Sequence, residues 1–267
     1  MTALSTEKSL NYNDHLILQK DLEGLERWEE DWSMQFHPEK CQLLRITKKR
    51  NPSSFNYSIH SVDILPTSDA KYLGVTICDN LSWNTHINNI CHKANCSLNF
   101  IRRNFNDCSE NVKSKLYSTY VRPSLEYCSC VWDPYTATKI NQLEGVQRRA
   151  ARFVKNSYSR ETRVTPMLQD LNWDPLRERR ARAKTTILYK ALNDQLDIPT
   201  DHLTMTQSQT RQQNNFFLPF ARTDAYRHSF YPDVIRLWNS VPVPIRTQPL
   251  LSSFQNCLNS QTLRCSY

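Results

Sequence analysis

The chain has 267 residues, 39% apolar and 10% aromatic, with a formal net charge of +8. That is enough apolar material for one large or two small packed domains, and it excludes wholesale disorder. No apolar run approaches the ~18 residues that suggest a bilayer-crossing helix, and no basic-then-apolar leader opens the chain; both point to a nuclear or cytoplasmic protein, neither secreted nor membrane-bound.

The first predicted element is a helix from Asp14, its cap, to about Trp32. Leu18, Leu22, Leu25, Trp28 and Trp32 recur at spacings of four, three, three and four, which makes one apolar stripe fit to lie against a sheet. The acidic residues fall on the opposite face and read as solvated. Pro38 ends the next turn, and Cys41 to Thr47, with Leu43, Leu44 and Ile46, suits a buried strand. Residues 48–52 form a basic loop. Phe55 to Ile64 reads as a weak hairpin, and Ala70 to Cys78 as a β-prone strand around Gly74.

From Trp83 the periodicity turns helical. Trp83, Ile87, Ile90, Ala94, Leu98 and Ile101 make one stripe, and Val112, Leu116 and Tyr120 a second that stops at Pro123. Residues 124–132 form a short further helix. Ile140, Leu143, Val146, Ala150 and Val154 make a third stripe. Asp174 followed by Pro175 reads as a cap and first helical position for a helix with Leu176, Ala183, Ile187 and Ala191 inward. Residues 204–215 are polar and read as a linker. The tail from Phe216 consists of short strands or turns and a brief helix at Pro232 to Ser240. Trp132, Trp173 and Tyr189 read as core.

Charge is unevenly spread. Residues 1–50 carry a net −1, whereas residues 139–190 hold thirteen Lys/Arg against five Asp/Glu, so this segment alone accounts for the excess of the chain. A stripe of this kind suits a polyanion; solvated helical faces, paired with Glu144, Glu161 and Glu178, are the plainer reading. Arg148, Arg149 and Arg152 share one helix, with Arg148 and Arg152 four apart, and Arg177, Arg180 and Lys184 share the next. The three glycines (Gly24, Gly74 and Gly145) are too scattered for a Walker or Rossmann phosphate loop. The nine cysteines show no C-x-x-C pair. Cys91-His92 with Cys96, or Cys128 with Cys130, is the nearest approach to zinc spacing, and reduced thiols are the favoured reading over a metal site.

Several motifs in order resemble one family. They are His37-Pro38-Glu39-Lys40; Lys71-Tyr72-Leu73-Gly74-Val75 with Leu81-Ser82-Trp83 and His86-Ile87; Val121-Arg122-Pro123-Ser124-Leu125-Glu126-Tyr127; Val131-Trp132-Asp133-Pro134; Leu143 to Arg152; and Leu237-Trp238-Asn239-Ser240-Val241-Pro242. Together they resemble the reverse transcriptases of non-LTR (LINE, jockey-like) retrotransposons, from Thr2 to about Leu258. The resemblance implies an α+β fold: the C-terminal part of a polymerase palm over 1–80 (a helix plus a small antiparallel sheet), a helical thumb-like domain over 81–203, and a linker with a C-terminal extension over 204–267.

It further implies that Lys40 is a candidate general acid for the leaving pyrophosphate, and that Tyr72, Leu73 and Gly74 grip the primer end. Arg148, Arg149, Arg152, Arg177, Arg180 and Lys184 would track the phosphates of an RNA/DNA template–primer duplex. The intact family enzyme uses Mg2+ held by an Asp-Asp turn that lies just before the position of Thr2-Ala3-Leu4. No Asp-Asp pair occurs in this sequence, so the expectation is an RNA-directed DNA polymerase without its metal-binding carboxylates: inactive alone, holding no metal, and in need of the N-terminal part of the polymerase. A host-retained nucleic-acid-binding module and a decayed element product without selected function are the alternatives. The severed palm is expected to expose a strand edge and the apolar face of its helix.

Overall fold

The computed structural model describes residues 12–47, 49–51, 55–159, 161–201, 203–206 and 215–261. The chain divides into two compact units, Met1–His86 and Ile87–Tyr267. The expected sequel to the metal-binding turn at residues 2–4 and most of the polar linker lie outside the described residues.

The first unit holds α1 (Tyr12–Trp32), a 3-10 turn at Pro38–Lys40 and short strands β1 (Leu43–Leu44), β2 (Ser58–Ile59), β3 (Val62–Asp63), β4 (Pro66–Thr67), β5 (Asp69–Tyr72) and β6 (Val75–Cys78). A small antiparallel sheet was the expectation. The described strands instead form three two-stranded pieces: β1 with β4 in parallel, and β2–β3 and β5–β6 as antiparallel hairpins. The strand expected over 41–47 shrinks to Leu43–Leu44, and Ile46 is half exposed.

Helix α1 does meet β-structure, but through its polar edge. His15 Nδ1 lies 2.7 Å from the Tyr57 hydroxyl, with the imidazole stacked on Phe55. The Gln19 amide accepts from the Ser58 N–H and donates to the Ser58 carbonyl. Glu29, read as a solvated face residue, is buried; its carboxylate accepts the Phe36 N–H and lies 2.6 Å from His60 Nε2. A carboxylate is buried only where hydrogen bonds replace its water, and partners seven and thirty-one residues away supply them here. The apolar stripe is the less buried side: Leu18, Leu22, Leu25 and Trp28 are partly exposed and Trp32 is exposed.

The segment read as one strand around Gly74 is a hairpin. Leu73 and Gly74 both adopt positive φ, 44° and 86°, as a two-residue type I′ connection requires. Glycine takes that conformation freely, whereas leucine is strained in it. The Thr76 N–H donates to Nδ1 of buried His86. Burial, aided by the Lys71 charge, lowers the His86 pKa. Above the ordinary histidine pKa of ~6.5 both folded and unfolded forms are neutral there. As pH falls below it, the unfolded chain gains the proton first and the hairpin loses stability. We expect hydrogen-exchange protection of residues 69–78 to fall between pH 7.5 and 5.5, and His86→Gln to flatten that dependence.

The second unit is helical: α2 (Asn84–Asn104), which begins three residues before it, then α3 (Glu110–Leu116), a π-helical turn at Tyr117–Val121, α4 (Arg122–Glu126), α5 (Ser129–Trp132), α6 (Ala137–Val154), α7 (Val164–Asp170), α8 (Leu176–Leu192), α9 (Asp224–Arg227), α10 (Phe230–Ser240), α11 (Val243–Arg246) and α12 (Leu251–Asn259). The expected stripes of α2 and α6 are buried: Ile87, Ala94, Leu98 and Ile101 on one, Ile140, Leu143, Val146, Ala150 and Val154 on the other. The stripe expected at Val112 and Tyr120 is displaced by one residue, and Lys113, Tyr117, Val121 and Leu125 point inward instead. Pro123 has no N–H to give and crowds the preceding turn; the wider π turn before it absorbs the mismatch and keeps residues four apart in line.

Two polar nodes sit within this core. Gln147 accepts from the Tyr117 hydroxyl and donates to the Asp174 carbonyl, both at 2.9 Å, and Tyr117 stacks on Trp173. Burial pushes the Tyr117 phenol well above its ordinary value. The second node surrounds Arg180 and Lys184, described below. The tail from Phe216 is mostly helical and belongs to this unit: Phe216, Val234, Ile235, Trp238, Phe254 and Leu258 pack with Leu188 and Tyr189 of α8.

Candidate nucleic-acid interface

The six basic residues expected to track duplex phosphates from two helical faces fall into four groups. Arg148 and Arg149 are exposed on α6 and have neutral partners. Arg148 donates to the Asn141 carbonyl and side-chain oxygen, and the Arg149 guanidinium donates to Asn95 Oδ1 of α2 at 2.9 and 3.2 Å. Close by, Lys139 and Gln142 both donate to Asn88 Oδ1 at 3.0 Å. Among the described residues none of Lys139, Arg148 and Arg149 has a carboxylate within ion-pair range.

Arg152 does different work. It donates to the carbonyls of Ser157, Ser159 and Thr162 and so clasps the loop after α6. It is partly buried and carries structure rather than a free charge. Arg177 is partly exposed at the first turn of α8, where its backbone N–H donates to Glu144 Oε1 at 2.8 Å. Glu144 thus caps the helix that Asp174 was expected to cap. Asp174 instead pairs with Arg182 at 2.5 Å.

Arg180 and Lys184 correct the expectation outright, for both are buried at 1% and 2% exposure. The Arg180 Nε–H donates to Asp133 Oδ1 at 2.6 Å, and the Lys184 ammonium lies between Asp133 Oδ2 at 2.9 Å and Asp233 Oδ2 at 2.6 Å. Burial alone would pull the Lys184 pKa down, but the two aspartates overcome it and hold the ammonium above its ordinary value. The inward face of α8 is therefore Leu176, Arg180, Ala181, Lys184, Thr185 and Leu188, while Ala183 is exposed and Ile187 only partly covered. Neither cation reaches a phosphate on the surface.

Sequence reasoning passed over Lys139 and Arg102. Asn88, Asn95 and Arg102 follow at intervals of seven on α2, which places them along one side of that helix. The first two meet α6, and Arg102 lies over the Tyr158 ring at 5.5 Å. The heptad interval was the available signal.

In the first unit, Lys40 is exposed at the end of the 3-10 turn. Tyr72 is partly buried in β5, whereas Leu73 and Gly74 stand exposed at the hairpin tip. The conceivable zinc ligands do not converge: Cys96 Sγ and His92 Nε2 are 3.6 Å apart on the exposed side of α2, but Cys91 is buried and its pKa is pushed up to about 11 by burial. Among the described residues no three His, Cys, Asp or Glu side chains come together around a point where an ion would sit. Nor is any described helix long and apolar enough to cross a membrane.

The chain is similar to the RNA-directed DNA polymerase from the mobile element jockey of Drosophila funebris, with 24% identity over 143 residues, and equally to its Drosophila melanogaster counterpart. It is also similar to the probable RNA-directed DNA polymerase from transposon BS of Drosophila melanogaster, with 24% identity over 169 residues. These matches cover 52% of the chain for the jockey proteins and 62% for the BS protein, but only 16% and 18% of the relatives' lengths. No family model and no solved structure matches the chain.

Proposed function

Given that this chain is related to the RNA-directed DNA polymerases of jockey-type non-LTR retrotransposons, we propose that it holds the template–primer duplex for such an enzyme and does not polymerise by itself. The observation that carries the reading is that Lys139, Arg148 and Arg149 of α6 have only neutral amide and carbonyl oxygens as described partners. Elsewhere in the basic segment Lys155, Arg179, Arg180, Arg182 and Lys184 carry salt bridges. A cation without a carboxylate is the one that gains from a phosphate, through counterion release and independently of sequence. In the same reading Leu73 and Gly74 approach the primer end from the hairpin tip, and Lys40 supplies positive charge beside the leaving pyrophosphate.

The test is an electrophoretic titration of an RNA/DNA duplex in rising salt. Binding is expected to weaken linearly in log–log form, and Arg148→Ala with Arg149→Ala to lower the slope by about 2. Arg180→Lys is expected to leave the slope unchanged. Binding that ignores salt, or a double variant with the parent slope, refutes the proposed surface.

Primer extension tests the second half. A polymerase holds two metals with converging carboxylates, and the sequence has no adjacent aspartate pair. Magnesium-dependent synthesis is expected to be at background for the isolated chain, and measurable extension would overturn that part of the reading.

A further inference from the structure

The strongest unassigned feature is an open groove of about 570 Å3 in the second unit. Cys96, Phe100 and Ile101 of α2 line it together with Phe105, whose N–H still donates to the Ile101 carbonyl and so continues the helix. Leu116 of α3 and Tyr120 of the π turn line it from the next segment. The lining is mostly apolar, yet Phe100 and Tyr120 are 56% and 66% exposed. The volume is that of a small-molecule site, and apolar surface left open in this way marks a place of binding.

Charge decides the class of ligand. The whole of α2, from Asn84 to Asn104, contains no aspartate or glutamate. Lys93 stands three residues before Cys96 and seven before Phe100, so it lies on the groove side of α2, about one turn beyond the Cys96 end. Arg103, three residues after Phe100, adds a second positive charge on that side. Both are exposed, and among the described residues neither has a carboxylate within ion-pair range. The next acids in the chain, Asp107 and Glu110, come only after Phe105, and Glu110 is held by Lys155 at 3.0 Å. The groove therefore joins an apolar trough to an uncompensated cation. From Cys96 to Phe105 its α2 side runs about 13 Å along the helix axis, the length of a medium alkyl chain.

We propose that this groove binds a single-chain amphiphile with a carboxylate head, a medium-chain fatty acid. The alkyl tail lies against Phe100, Ile101 and Leu116 toward Phe105, and the carboxylate meets the Lys93 ammonium at the Cys96 end. Burial of the tail supplies the affinity, and the cation fixes the orientation and rejects a cationic head. The site does not depend on duplex binding: Lys93 is two residues, or about 200° of helix, from Asn95, the residue that receives Arg149 from α6.

The groove carries its own reporter. Among the described cysteines Cys96 is the exposed one, and an occupant of the groove shields its thiol. The test measures the rate of N-ethylmaleimide labelling at Cys96 in the full chain, by peptide mass spectrometry, with decanoate, decanol and decyltrimethylammonium. All are kept below their micelle concentrations and at matched ionic strength, and Cys41 of the first unit serves as the internal control. Decanoate at ten times its Kd is expected to slow Cys96 labelling about tenfold by mass action and to leave Cys41 unchanged. Decanol is expected to protect more weakly, and decyltrimethylammonium least.

Two exposed positions give variants that spare the core. Lys93→Met is expected to bring decanoate down to the level of decanol, and Phe100→Glu, which sets a like charge within the trough, to abolish protection by decanoate. Absence of protection, equal protection by decanoate and decyltrimethylammonium, or a decanoate effect unchanged in Lys93→Met overturns the proposal. So does Cys96 labelling that slows with protein concentration alone, which would assign the groove to a second copy of the chain. Stronger protection by an oligonucleotide than by decanoate would assign it to nucleic acid and overturn it equally.

Discussion

Replacing Asp133 by alanine is expected to cost the second unit about 3–5 kcal/mol, the range for breaking a buried ion pair from one side. Asp133 lies in the turn after α5, with its side chain only 4% exposed. Each oxygen serves a different buried cation, Arg180 Nε at 2.6 Å and the Lys184 ammonium at 2.9 Å. Without it, Asp233 alone faces Lys184 and also meets Arg236 at 3.5 Å, while Arg180 retains no described partner. The damage comes from cations left unpaired, so removing one of them should restore part of it. Urea unfolding followed by tryptophan fluorescence measures this through Trp132, Trp173 and Trp238, all buried. Asp133→Ala should lower the midpoint strongly, and adding Lys184→Met should recover a measurable part. A loss below about 1 kcal/mol, the scale of an exposed pair, would show that water reaches the network.

Phe254→Ala is expected to cost about 3–5 kcal/mol, as for deletion of a fully buried aromatic. Phe254 is completely buried, stacked on Tyr189 of α8 at 4.1 Å between ring centroids and 6.2 Å from Trp238 of α10. The Tyr189 hydroxyl also donates to the Gln248 carbonyl at 2.5 Å, a second tie between α8 and the tail. If residues 216–261 were an appendage, the substitution would leave α8 undisturbed. Hydrogen exchange on α8 separates the two cases: faster exchange at residues 185–192 in Phe254→Ala is the expected result, and unchanged protection there would contradict the shared core.

The inward faces of α2 and α6 were legible because their apolar residues recur with the helical period, and that is a local property. Ile87, Ala94, Leu98 and Ile101, and Leu143, Val146, Ala150 and Val154, were placed correctly for that reason. Short strands offered less signal. Leu73-Gly74 is a turn, although tyrosine, valine and isoleucine around it have strand preference, because two successive positive φ angles belong to the backbone and not to composition. The inward face around the π turn before Pro123 runs through Lys113, Tyr117, Val121 and Leu125, four residues apart, which a fixed period of 3.6 does not follow.

The candidate site divides along the same line. Sequence alone determined that residues 139–190 carry the excess charge and that no adjacent aspartate pair exists, and it gave motifs between His37 and Pro242 that resemble those of reverse transcriptases. Tertiary structure decided what each charge is for. Arg148 and Arg149 keep theirs because they meet asparagines, whereas Arg180 and Lys184 lose theirs to Asp133 and Asp233, 47 and 49 residues distant in the chain. A side chain's charge is written in its residue type, but whether water, a carboxylate or an open groove faces that charge is fixed only when distant segments pack together.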